Sequence, residues 1–194
     1  MKHPRHDMGL LVALSHSRAI ARRYFVTNGF DGALAMLGLT MGFHVGNTVP
    51  LQTVFNACVG TAIALMMSGL SSAYVSEAAE RKRELRELEQ AMVTALDDTA
   101  HGRAARYAPW LIALVNGLAP FMMSMIIITP LWFDVLGHPW PIPALETAIV
   151  LAFVVIFLLG VFLGRISGVF WLWSALRTLL IAAVTALLVL QLPN

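Results

Sequence analysis

The sequence predicts an all-α, polytopic membrane protein with five transmembrane helices, the second of them extended into the cytosol. Three observations predict it. Only 12% of the 194 residues are charged and 58% are hydrophobic, whereas a soluble domain carries about 25% charged residues. Uncharged apolar runs long enough to cross a bilayer recur along the chain. Lysines and arginines gather in alternate connections between those runs, as the positive-inside rule requires of a multi-pass chain. This composition excludes an ordinary soluble enzyme, a disordered chain and a coiled coil. A single cysteine, Cys58, excludes a disulfide framework or a CxxC site, and the six histidines form no tight ligand cluster.

Residues 1–23 are expected to lie on the cytosolic leaflet as an amphipathic segment. Their apolar part, Gly9 to Leu14, is short for a signal core and is followed by Arg18, Arg22 and Arg23. Residues 24–76 hold the first two spans, because no Lys, Arg, Asp or Glu occurs between Asp31 and Glu77. The first span is placed near 24–45 and the second near 51–76, with Gly46 to Pro50 as the turn. Residues 77–106 form a charged cytosolic segment, and its helix continues from span two because Glu77 to Gln90 contains no Gly or Pro.

Residues 107–194 carry the remaining three spans. Tyr107 to Phe133 is charge-free and contains Pro120, which a membrane helix tolerates as a kink. The proline-rich stretch 137–143 reads as an exposed loop. A fourth span follows Glu146 and runs to Gly164, and a fifth covers about 170–191. Arg177 interrupts the fifth span, close enough to its start to snorkel toward the cytosol. Trp110, Trp132, Trp140, Trp171 and Trp173 fall near predicted span ends. The connections after spans one and three contain no Lys or Arg. The N-terminus is therefore expected in the cytosol and the C-terminus outside.

Asp31 is the informative polar residue. A carboxylate inside a span costs about 2.5–3.5 kcal/mol on insertion scales, so it faces a partner or a watery cavity. At about 100° per residue, Asn28, Ala35, Gly38, Gly42 and Gly46 fall within about 60° of it. Asp31 thus shares a face with a small-residue stripe of the kind that lets helix backbones approach. The stripe alone marks only packing, and Asp31 could instead pair with Arg22 or Arg23 at the interface. Thr61, Ser68, Ser71 and Ser72 form a polar strip on span two, beside Met66 and Met67. Those hydroxyls can simply satisfy backbone carbonyls, and most methionines in a membrane protein are filler. A thioether is nevertheless a ligand for softer metals. Met122, Met123, Met125 and His44 are weaker candidates of the same kind.

In the charged segment Glu77, Glu80, Glu84 and Glu87 share one helical face within about 80°. Such a row either pairs with neighbouring arginines at i,i+4 or gathers divalent cations at the cytosolic mouth. Leu85, Leu88 and Met92 form an adjacent apolar strip suited to a partner helix, while Asp97, Asp98 and His101 make a weaker constellation. Asn28-Gly29 and Asn116-Gly117 occupy like positions in spans one and three, a match too short to establish a repeat.

The stretch Arg22 to Ala33, RRYFVTNGFDGA, resembles the first-span motif of the vacuolar iron transporter family. Ser68 to Glu87, with Ala73-Tyr74-Val75-Ser76-Glu77, is similar to that family's second span and the helix beyond it. Val115 to Phe121 and the region 155–168 fit its later spans, and the likeness is greatest to the small prokaryotic branch. The resemblance implies a five-helix homodimer that exports ferrous iron or manganese from the cytosol in exchange for protons. It implies that Asp31 lines the path. Aligning on Tyr74 puts Gly69 where the family carries a methionine, so that ligand is missing or replaced by Met66 or Met67. The likeness to the prokaryotic branch implies the cell (inner) membrane of a prokaryote.

The expected activity is a proton-coupled divalent-metal exporter and not an enzyme, since no nucleophile–base pair, phosphate-binding glycine loop or Walker sequence is present. Its candidate metal-handling residues are Asp31, Asn28, Met67, Glu77, Glu80, Glu84 and Glu87. No resident cofactor is expected beyond the transported Fe2+ or Mn2+. The expected partners are that ion, protons as counter-substrate, the lipid bilayer and a second copy of the chain, with no nucleic acid. Two other classes stay open: a dimeric membrane scaffold or sensor acting through Leu85, Leu88 and Met92, and an organic-cation exporter using Asp31 as counter-ion.

Overall fold

A computed structural model describes residues 5–46, 49–92, 99–138 and 142–192. All regular structure among them is helical: α1 Arg5–Gly46, α2 Leu51–Met92, α3 Ala100–Val135, α4 Ala144–Ser167 and α5 Trp171–Leu190. Four of these, α2 to α5, are both long and apolar enough to cross a membrane. In α1, which is not one of the four, the expected span is diluted by Asn28, Asp31, His44 and its glycines. The helix containing the expected first span begins at Arg5 and passes Tyr24 without a break. Both α1 and α2 have 42 residues, a length of about 63 Å and twice a single crossing of about 30 Å. Asp97, Asp98 and Trp140 lie outside the described residues.

Local chemistry sets the helix ends. The Thr99 side chain accepts a hydrogen bond from the Gly102 amide (3.3 Å) and so caps α3. Gly168 ends α4 in the left-handed region at φ 68°, where a residue without Cβ meets no steric penalty. α3 runs on through Pro109, Pro120 and Pro130. Proline has no N–H, so the carbonyls of Ala105, Asn116 and Ile126 lack their usual helical donor.

The helices pack in the order α2, α3, α1, α4, α5, with α5 also reaching back to α1. α2 is an edge helix held chiefly by α3, and it meets α1 only sparingly. The interior is sealed by Met36 and Leu37 of α1, Ile127, Ile128 and Leu131 of α3, and Ile156 of α4, all fully buried. Small residues set the spacing. A Cβ on Gly32 would lie 2.6 Å from the Pro120 backbone, so α1 and α3 touch there. Gly69 and Gly117 bring α2 onto α3, and Gly160 and Gly164 bring α4 onto α5. Gly38, Gly42 and Gly46, the stripe that suggested close helix approach, meet nothing within 4 Å of a would-be Cβ. The chain's close helix contacts are made by other glycines.

Candidate functional site

α1 buries one face, with Val26, Ala33, Met36, Leu37, Thr40 and Met41 turned inward. The 3.6-residue period then turns Thr27, Asp31, Gly38 and Gly42 to the opposite side, and both Thr27 and Asp31 are exposed. The Asp31 carboxylate makes no hydrogen bond or ion pair with any described residue. Arg23, the nearby cation, lies over the ring of its own neighbour Tyr24 at 5.7 Å, so the simple interfacial pairing weighed for Asp31 is not the observed arrangement.

Asp31 lies on the rim of a cavity of about 240 Å³ between α1, α4 and α5. The other lining residues are Val26, Thr27, Phe30, Leu159, Leu163, Thr178 and Ile181. Gly160 helps to shape this space by seating Thr178 against α4, where a Cβ would clash with its hydroxyl. The hydroxyls are already committed as donors. Thr27 donates to the Arg23 carbonyl (3.0 Å), and Thr178 to those of Ala175 (2.9 Å) and Ile156 (3.3 Å).

Asn28 points elsewhere. Its amide donates to the Tyr24 carbonyl (2.9 Å) and to Asn116 Oδ1. Asn116, nearly buried on α3, in turn donates to the Gly69 carbonyl of α2 (2.7 Å). One polar chain therefore ties α1, α3 and α2 together at a single level. The two asparagines stand 88 positions apart, and so do Gly32 and Pro120, the next close pair one turn further on. α1 and α3 thus pack in matched register around the short sequence likeness at Asn-Gly. That signal pointed to Asn116, yet its bridging role depends on a helix rotation that the sequence does not fix.

On α2 the exposed side carries Gln52, Asn56, Gly60, Ala64, Met67, Ser68 and Ser71. Met67 is 55% exposed. Thr61 and Ser71 donate to carbonyls of their own helix at 2.9 and 2.8 Å, the modest role expected of small hydroxyls. No α2 residue lines the cavity at Asp31, so the chain does not gather Asp31, Asn28 and Met67 around a shared space.

Further along α2, Glu77, Glu84 and Glu87 are engaged with arginines. Arg81 meets Glu84 at 3.0 Å and Glu77 at 3.8 Å, and Arg83 meets Glu87 at 2.9 Å. The Glu87 hydrogen bond and charge, helped by Glu80, hold the Arg83 guanidinium above its ordinary range. Successive turns of one helix separate these carboxylates, so they line a row without converging. Among the described residues no group of three or more His, Cys, Asp or Glu side chains is placed to hold a metal ion. Arg177 lies 5.8 Å over the Trp173 ring, one turn back toward the start of α5. The cavity residues of α4 and α5 had no signal in the sequence, because only the packing of α5 back onto α1 brings them to Asp31.

No family model and no solved structure matches the chain. It is 27% identical over 149 residues to an uncharacterized protein of Methanocaldococcus jannaschii, an overlap of 75% of this chain and 74% of that protein.

Proposed function

We propose that the chain is a homodimeric, proton-coupled exporter of divalent iron or manganese, with the ion path at a seam lined by α1. The observation that carries this reading is the Asp31 carboxylate, left without a partner on the outward side of a helix in an apolar bundle. An acid in that position is costly in lipid and calls for a counter-charge or a watery crevice. The open faces support a second copy as the other wall of that crevice. A Cβ on Gly38 or Gly42 of α1 or on Gly60 of α2 would meet nothing within 4 Å, and the exposed side of α2 carries Gln52, Asn56, Ser68 and Ser71 beside Ile63 and Met67. Small residues of this kind let membrane helices approach closely.

A dimer also supplies what one protomer lacks. Two copies would bring two Asp31 carboxylates to one seam, and two rows of Glu77, Glu80, Glu84 and Glu87 to one mouth. Hard and borderline cations need several oxygen ligands. Proton coupling follows from competition: a proton taken up by Asp31 from the outer side cancels the charge that holds the ion. The likeness of Arg22 to Ala33 to the vacuolar iron transporter motif supports the same assignment, in which the chain would cross a prokaryotic inner membrane five times with its N-terminus cytosolic.

Manganese flux into proteoliposomes under an imposed pH gradient tests the proposal. Asp31→Asn should abolish pH-driven flux while the variant still folds and dimerises; wild-type flux in that variant would remove Asp31 from the path. The scaffold reading is favoured by the exposure of Leu88 (43%) and Met92 (60%). It predicts capture of a partner helix and no metal flux from the wild-type protein.

A further inference from the structure

We infer that the groove between α1, α4 and α5 is a binding site for a small organic cation, a quaternary ammonium or protonated amine carrying an apolar group. The inference does not rest on the metal-export reading, although both use Asp31. Its first ground is the chemistry of the lining. Val26, Phe30, Leu159, Leu163 and Ile181 supply aliphatic and aromatic walls. Thr27 and Thr178 have spent their hydroxyl protons on backbone carbonyls. The groove therefore offers acceptors and apolar surface but no hydrogen-bond donor. An anion, a sugar or a carboxylic acid would lose its hydration with nothing to replace it. A cation meets a carboxylate that has no other partner among the described residues.

The second ground separates an organic cation from a metal ion. A divalent metal gives up a tightly held hydration shell only for several well-placed oxygens. Here one carboxylate and two hydroxyl oxygens stand among hydrocarbon side chains. An alkylammonium group presents an apolar surface, so these walls stabilise it, and the ring of Phe30 can face its charge. Size fits the same class. At about 240 Å³ the cavity is smaller than a drug-sized pocket of about 300–1,000 Å³, which suits a cation such as benzyltrimethylammonium.

Equilibrium dialysis of the purified, detergent-solubilised protein against radiolabelled benzyltrimethylammonium tests the site. Neopentylbenzene, its uncharged isostere, serves as competitor. The expected result is saturable binding that neopentylbenzene displaces poorly. Asp31→Asn should weaken it at least about tenfold. Ile181→Trp, a change at a 46%-exposed side chain, should weaken it comparably by filling the groove. Absence of saturable binding, undiminished binding by folded Asp31→Asn or Ile181→Trp protein, or equal displacement by neopentylbenzene would overturn the inference; the last would mark a slot for acyl chains. Wild-type protein that binds benzyltrimethylammonium but carries no manganese retains this site and loses the export proposal. Manganese flux without cation binding does the reverse.

Discussion

The glycines of this protein divide between two regions, one closed and one open. In the closed region, where α1, α3, α4 and the inner side of α2 meet, a Cβ on Gly32 would strike the Pro120 backbone at 2.6 Å and one on Gly117 the Met66 carbonyl at 2.7 Å. In the open region, on the outward sides of α1 and α2, a Cβ on Gly38, Gly42, Gly46 or Gly60 would meet nothing within 4 Å. The same residue type, in the same helices, does two different jobs. In the closed region glycine is required by backbone contact that already exists. In the open region it leaves a smooth surface, and the unpartnered Asp31 stands beside that surface rather than inside the packed seam.

The largest expected effect comes from closing a contact that has no room. Gly32→Val forces α1 from α3, because the obstacle is the rigid backbone of Pro120. Overpacking of this kind costs about 3 kcal/mol, or about 6–12 °C in melting temperature for a chain of this length. Thermal unfolding followed by size-exclusion chromatography measures it, and an unchanged melting temperature would erase the contrast between the regions. Asn116→Leu comes next. It removes the hydrogen bonds to Asn28 and to the Gly69 carbonyl, together about 1–2 kcal/mol. The melting temperature should fall by about 5 °C, and Asn28→Leu should add little to that loss because the bridge is shared.

Gly42→Ile should have the smallest effect on the stability of the single chain, a change within about 1 °C, since nothing there is displaced. Its effect should show in assembly instead. Light scattering of the detergent complex should report loss of the dimer if the open face is the proposed seam. A dimer that survives both Gly42→Ile and Gly60→Ile would move the seam elsewhere on the surface.

Several elements were legible because the forces behind them act locally. The charge-free run 147–164 reads as a span, and α4 covers it as Ala144–Ser167. The expected fifth span near 170–191 is α5, Trp171–Leu190. Pro120 was expected inside a continuing helix, and α3 continues through it. α1 was harder to read. Its basic stretch before Tyr24 suggested a separate surface segment, yet one helix runs from Arg5 to Gly46. Charge sets the depth of a helix in a bilayer more directly than it sets the helix ends.

Asn28 shows the limit most clearly. Its position on the wheel, about 60° from Asp31, allowed either residue to face the same space, but the amide turns to Asn116 while the carboxylate stays outside. The cavity walls of Leu159, Thr178 and Ile181, and the split between closed and open glycines, were equally invisible beforehand. Hydropathy and helix period sum over neighbours in the chain, so the sequence by itself determined the helical class, the apolar spans and the charged ends. Which faces meet depends on how each helix is rotated and tilted against partners tens to more than a hundred residues away. Only the tertiary structure decided that, and with it the surroundings of Asp31.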